Sequence, residues 1–106
     1  MCRCKEQHLR QAVAAAPDEV GLMISLAKFL ARQGRIRESD EVFETAQRVK
    51  PDAARVWFAR ADVLIKQKRD LDEAKNLLQK YVRAPVTVDD PPKQEAVRLL
   101  KQVGGD

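Results

Sequence analysis

PDEVGLMISLAKFLARQGRIRESDEVFETAQRVKPD, residues 17–52, decides the fold. Met23, Leu26, Ala27 and Leu30 recur at the spacing of one helix face, and Gly34 interrupts the run. Ile36, Ser39, Val42, Phe43, Ala46 and Val49 carry a second face. The same dipeptide, Pro17-Asp18 and Pro51-Asp52, bounds the stretch at both ends. Either helix alone would leave its apolar stripe in water, so the two are expected to pack as a hairpin.

The unit recurs. A shift of 34 residues carries Pro17-Asp18 onto Pro51-Asp52, Met23 onto Trp57, Ala27 onto Ala61, Leu30 onto Leu64 and Gln33 onto Gln67. One residue is then inserted, and a shift of 35 carries Ile36 onto Leu71, Glu38 onto Glu73, Ser39 onto Ala74, Val42 onto Leu77 and Phe43 onto Leu78. Backwards by 34, Phe43 falls on Leu9 and Ala46 on Ala12. A period of this size marks a helical solenoid, whose units bury apolar faces on their neighbours.

With this period and these residue types the chain resembles the tetratricopeptide repeat family. Met23, Leu26, Ala27, Leu30, Gly34, Ile36, Ser39, Phe43, Ala46 and Pro51 fill the family's pattern in the first unit, and Trp57, Ala61, Leu64, Leu71, Ala74 and Leu78 in the second. The resemblance covers about residues 5 to 85. It implies an all-α, antiparallel helix-hairpin solenoid wound as a right-handed superhelix. A single domain over 1–106 is expected: a half repeat at 5–17, repeats at 18–51 and 52–85, and a C-terminal capping helix at 90–103. Arg60, Lys68 and Tyr81 depart from the pattern, at places usually held by Leu, Gly and a small residue, so less regular packing is expected of the second unit.

Local signals set the expected ends. Met1 to Lys5 are expected to fray. Asp18, Asp52, Asp70 and Asp90 are each placed to cap a following helix, with Glu73 completing a capping box after Asp70. Residues 84–92, Ala-Pro-Val-Thr-Val-Asp-Asp-Pro-Pro, read as an extended linker, because residues before Pro avoid the helical region. Ala96, Val97, Leu99, Leu100 and Val103 give the last helix its apolar side, and Gly104-Gly105 stops it. That helix is read as a cap on the last repeat, the alternative being the first helix of a third repeat.

Charged residues make up 34% of the chain with both signs interspersed, which suits helices with solvated outer faces. No run approaches the ~18 apolar residues of a membrane span, and no stretch has the build of a secretory signal. A soluble, cytoplasmic protein without membrane association is expected, and the half repeat suggests a piece of a longer chain. The net charge of +4 is concentrated in the second half, which has eleven basic and eight acidic residues against nine and eight through Asp52, and where Lys66, Lys68 and Arg69 crowd one turn. No recognised nucleic-acid motif accompanies the charge, so a basic RNA-contacting scaffold ranks behind protein binding.

The resemblance implies that partner peptides lie along the first helix of each hairpin, on the concave side. The corresponding residues are Ile24, Lys28 and Arg32 in the first unit and Arg55, Phe58, Asp62, Ile65 and Lys66 in the second. Apolar anchors among cations would suit an acidic segment. Phe58 is the sharpest candidate, because Trp57 beside it already fills the core position; the competing reading packs Phe58 and Ile65 against a neighbouring helix. Some family members clamp a terminal carboxylate with several Lys and Asn side chains. Ile24, Lys28 and Ala59 occupy those positions here, so no clamp is expected.

Arg60 falls on the core-facing stripe and is expected to extend its charge to water along its apolar stem. The alternatives are a structural ion pair or a partner contact. Cys2, Cys4 and His8 are ligand types for zinc or copper, but a closed zinc site wants four ligands and the chain has no other Cys or His. They are read as incidental, and no metal or cofactor is expected. One His, four glycines without phosphate-loop spacing, and acidic pairs read as helix-start charges leave no catalytic constellation. The expected function is a non-catalytic interaction module, the runner-up a homo-oligomerisation module of a larger repeat protein.

Overall fold

A computed structural model describes residues 3–85 and 90–103, with side chains from Lys5 onward. The described residues form six helices: α1 (Arg3–Ala15), α2 (Val20–Arg32), α3 (Ile36–Val49), α4 (Ala54–Gln67), α5 (Leu71–Arg83) and α6 (Lys93–Gln102). None is long and apolar enough to cross a membrane. The chain is all-α and built of helical repeats. It divides into two compact units, Met1–Ala53 and Ala54–Asp106.

In the first unit α2 packs against α3, and α1 packs against α2. Val20, Met23, Leu26, Ala27, Phe29 and Leu30 of α2 are buried, as are Ser39, Phe43 and Ala46 of α3. The Ser39 hydroxyl donates to the Ala27 carbonyl at 2.9 Å, tying the two helices together where both residues are small. Phe29 lies off the expected stripe; the Lys5 ammonium of α1 sits 5.7 Å from its ring centre.

In the second unit one cluster joins Ala54, Ala61 and Leu64 of α4 with Ala74, Leu77, Leu78 and Tyr81 of α5 and with Ala96, Leu99 and Leu100 of α6. The burial pattern repeats that of the first unit: Ala27 and Leu30 match Ala61 and Leu64, and Ser39, Phe43 and Ala46 match Ala74, Leu78 and Tyr81. Tyr81 is fully buried, and its hydroxyl donates to the Pro91 carbonyl ahead of α6. On α4, Val56, Ala59 and Val63 are also buried, whereas Trp57 and Arg60 are half-buried. Trp57 packs at the edge of the cluster, with the Lys80 ammonium 4.5 Å from its ring centre.

The connections correct several expected ends. The Glu19 amide donates to the Ala16 carbonyl at 3.0 Å, and the Ala53 amide to the Lys50 carbonyl at 3.1 Å. Pro17-Asp18 and Pro51-Asp52 are thus the central residues of two matching tight turns, where Pro fixes its own backbone angle. Asp18 and Asp52 therefore do not cap: Glu19 holds the N-cap position of α2 without a side-chain bond, and α4 begins at Ala54. Asp70 holds the N-cap position of α5, but in a left-handed conformation and paired to Arg69, so no capping box forms. Pro92, not Asp90, precedes α6; the Asp90 carboxylate lies 3.3 Å from Arg55 instead. Helix α1 begins at Arg3, inside the stretch expected to fray. Of the acidic pairs read as helix-start charges, Asp72-Glu73 lies in the first turn of α5, whereas the acid in the first turn of α3 is Glu38 and not Asp40-Glu41.

Val49, Leu71 and Val97 were expected on buried faces and are 38%, 41% and 40% exposed. Val49 is the last residue of α3 and Leu71 the first of α5. Val97 lies on α6 away from its buried Ala96, Leu99 and Leu100. The central part of the expected linker and the expected stop at Gly104-Gly105 lie outside the described residues.

Both hairpin turns use the same hydrogen bonds. After α2 the Gly34 amide donates to Ala31 and the Arg35 amide to Leu30, each at 3.0 Å. After α4 the Lys68 amide donates to Ile65 at 3.0 Å and the Arg69 amide to Leu64 at 3.2 Å. This pair of bonds needs a left-handed residue, Gly34 at φ 79° and Lys68 at φ 55°. The inserted residue of the second unit is Asp70, also left-handed at φ 49°. Glycine suits that conformation and lysine does not. We expect Lys68→Gly to stabilise the protein by up to about 1 kcal/mol and Gly34→Ala to destabilise it by roughly as much, read from urea unfolding midpoints.

Candidate functional site

The expected partner-binding residues divide between the units and differ in how they are held. In the first unit, four-residue spacing places Ile24, Lys28 and Arg32 along one side of α2. Ile24 and Lys28 are half-buried and Arg32 is exposed. Neither cation forms an ion pair with a described residue. This side of α2 therefore presents a partly exposed apolar side chain and two cations that pair with none of the described carboxylates.

In the second unit the matching residues are engaged within the unit. Arg55 Nε lies 3.3 Å from Asp90, and Lys66 Nζ lies 3.2 Å from Asp62 one turn earlier. The Phe58 ring packs on Tyr81 with centres 5.3 Å apart and planes tilted by 54°. Phe58 and Ile65 both rest against the cluster that includes α6. Glu95 pairs with Arg98 at 2.5 Å and is the main reason that guanidinium holds its proton more tightly than usual; the charge of Asp62 adds to the effect. The phenol of Tyr81 is made harder to ionise, first by its burial and then by the nearby Asp90 charge, with Arg55 opposing.

A cluster not singled out from the sequence lies in the first unit. Arg35, between α2 and α3, contacts Glu6 of α1 at 2.5 Å and Glu38 of α3 at 2.6 Å. Arg10 contacts Glu6 at 2.9 Å and Glu38 at 3.2 Å. The four side chains form a closed ring of alternating charge. Hydrogen bonds from Arg35, then from Arg10, hold the Glu6 carboxyl down at about 2, and Arg35 likewise lowers Glu38. The spacings Glu6–Arg10 and Arg35–Glu38 were the available signals. Nothing in the sequence pattern alone joined the two pairs.

Arg60 is half-buried, with its Nε enclosed. Cys2 and the side chain of Cys4 lie outside the described residues; His8 is exposed on α1. Among the described residues no group of three or more His, Cys, Asp or Glu is placed to hold a metal ion.

Comparison with known families gives two matches. Residues 6–63 match a family model described as Tetratricopeptide repeat, and residues 54–84 match a second model with the same description. No curated protein and no solved structure matched.

The packing of Phe58 has a direct consequence. Truncation removes a ring that lies against Tyr81 and the second unit's cluster. We expect Phe58→Ala to destabilise the protein by about 2–4 kcal/mol, measured by urea unfolding. Any binding defect of that variant is then interpretable only at temperatures where circular dichroism shows it folded.

Proposed function

The chain belongs to the tetratricopeptide repeat family, and on that premise we propose that it is a non-catalytic interaction module that binds a segment of a partner protein along α2. Repeats of this family mediate protein–protein interaction, and the exposed faces of such repeats serve as binding surfaces. The observation that carries the reading is the side of α2 formed by Ile24, Lys28 and Arg32, where two cations have no partner among the described residues. An acidic segment with an apolar side chain would fit it: the carboxylates would meet Lys28 and Arg32, and the apolar group would cover Ile24. Arg55, Phe58, Asp62, Ile65 and Lys66 of α4 are a weaker surface in this reading. A ligand there would first have to displace Asp90 from Arg55 and Asp62 from Lys66.

The test is affinity capture from a lysate of the source organism. Wild-type chain is compared with Lys28→Glu/Arg32→Glu, shown by circular dichroism to be folded. Reversal of two interfacial charges is expected to cut retention of the partner at least roughly tenfold. Retention of the same proteins by both forms would remove α2 as the binding face. Retention of the chain alone would favour self-association.

A further inference from the structure

We propose that α1 is a detachable cover on the α2–α3 hairpin, held by the ring of Glu6, Arg10, Arg35 and Glu38. The inference goes beyond the partner-binding reading and does not rest on it. Two observations carry it. First, none of the described side chains of α1 is buried: Leu9, Ala12 and Val13 are only half-buried, and the others of its apolar residues are exposed. The residues one period later, Phe43 and Ala46, are fully enclosed in α3. Among the described residues α1 therefore buries less of its apolar side than α2 and α3 do.

Second, beside its packing on α2, α1 is tied to the hairpin by ion pairs. Glu6 of α1 meets Arg35, Arg10 of α1 meets Glu38, and the ring closes through Arg10–Glu6 and Arg35–Glu38. Lys5 adds a cation over Phe29. A helix fastened this way opens when charge is screened or removed, while a hairpin held by a buried stripe stays closed. Opening uncovers Phe29 on the side of α2 that α1 occupies. The groups that face Glu6 are Arg10 on its own helix, Arg35 in the turn and Glu38 on α3, so acid acts on both carboxylates of the ring. Because its carboxyl is held down at about 2, the contribution of Glu6 is complete above the usual carboxylate range of about 4.5. It is lost as pH falls from there towards 2.

Hydrogen exchange on the full chain tests this through the amides of residues 9–15, which are bonded within α1. Protection factors of α1 are compared with those of α2 and α3 at neutral pH, in about 0.1 M and about 1 M salt, where the screening length falls from about 10 Å to about 3 Å. We expect α1 to exchange through a separate opening, and its protection to fall several-fold in high salt with α2 and α3 unchanged. Glu6→Gln should lower α1 protection roughly two- to thirtyfold at low salt and abolish most of the salt effect. Glu44→Gln, on the exposed side of α3, should do neither. The proposal is overturned if the three helices exchange together. It is also overturned if α1 opens alone but responds neither to salt nor to Glu6→Gln; the wild-type salt series decides the matter even if that variant is poorly folded.

Discussion

Close approach of two helices through small residues is the constraint on which each unit depends. In the first unit the Ser39 hydroxyl reaches the Ala27 carbonyl, and Ala27, Ser39 and Ala46 have no exposed surface. In the second unit Ala61 and Ala74 take the places of Ala27 and Ser39 and are equally enclosed. With little side chain between the backbones, Leu30 and Phe43 in one unit, and Leu64 and Leu78 in the other, can fill the space alongside. A larger residue at Ala27, Ser39, Ala61 or Ala74 would separate the helices and leave those side chains short of contacts. The turns serve the same constraint. Each closes with a left-handed residue that folds the chain back within three or four positions.

The two units resolve the problem of an exposed first helix differently. The second unit satisfies α4 internally: Asp90 meets Arg55, Tyr81 meets Phe58, and α6 completes the cluster. The lead-in to α6 is also fixed by the Tyr81 hydroxyl on the Pro91 carbonyl. In the first unit neither Lys28 nor Arg32 of α2 pairs with a described residue, while Glu6, Arg10, Arg35 and Glu38 pair with one another. This asymmetry between two repeats of similar build is the reason for assigning partner binding to α2 rather than to α4.

Much of the fold was legible because it is periodic. The shifts of 34 and then 35 residues placed the paired small residues correctly, and the structure identifies the inserted residue as Asp70. Helix starts were read less well. Each Asp near a helix start suggested a cap, but a Pro-Asp pair at the centre of a tight turn sets the backbone before the helix begins. Phe29, Val56, Ala59 and Val63 were missed as buried residues because the stripe was drawn for a single partner helix. The candidate site was legible as a set of positions and not as a set of free groups. Ionic partners such as Asp90 for Arg55 come from outside the repeat period, and so does the link between Glu6 and Arg35.

In the proposed function α2 offers the open face and α4 does not. The most direct measurement is amide chemical-shift mapping of the labelled chain during titration with an acidic peptide that carries leucine anchors. Shifts centred on Ile24, Lys28 and Arg32, with the amides of α4 unmoved, are the predicted result. Shifts centred on Arg55, Phe58 and Ile65, with α2 unmoved, would contradict it.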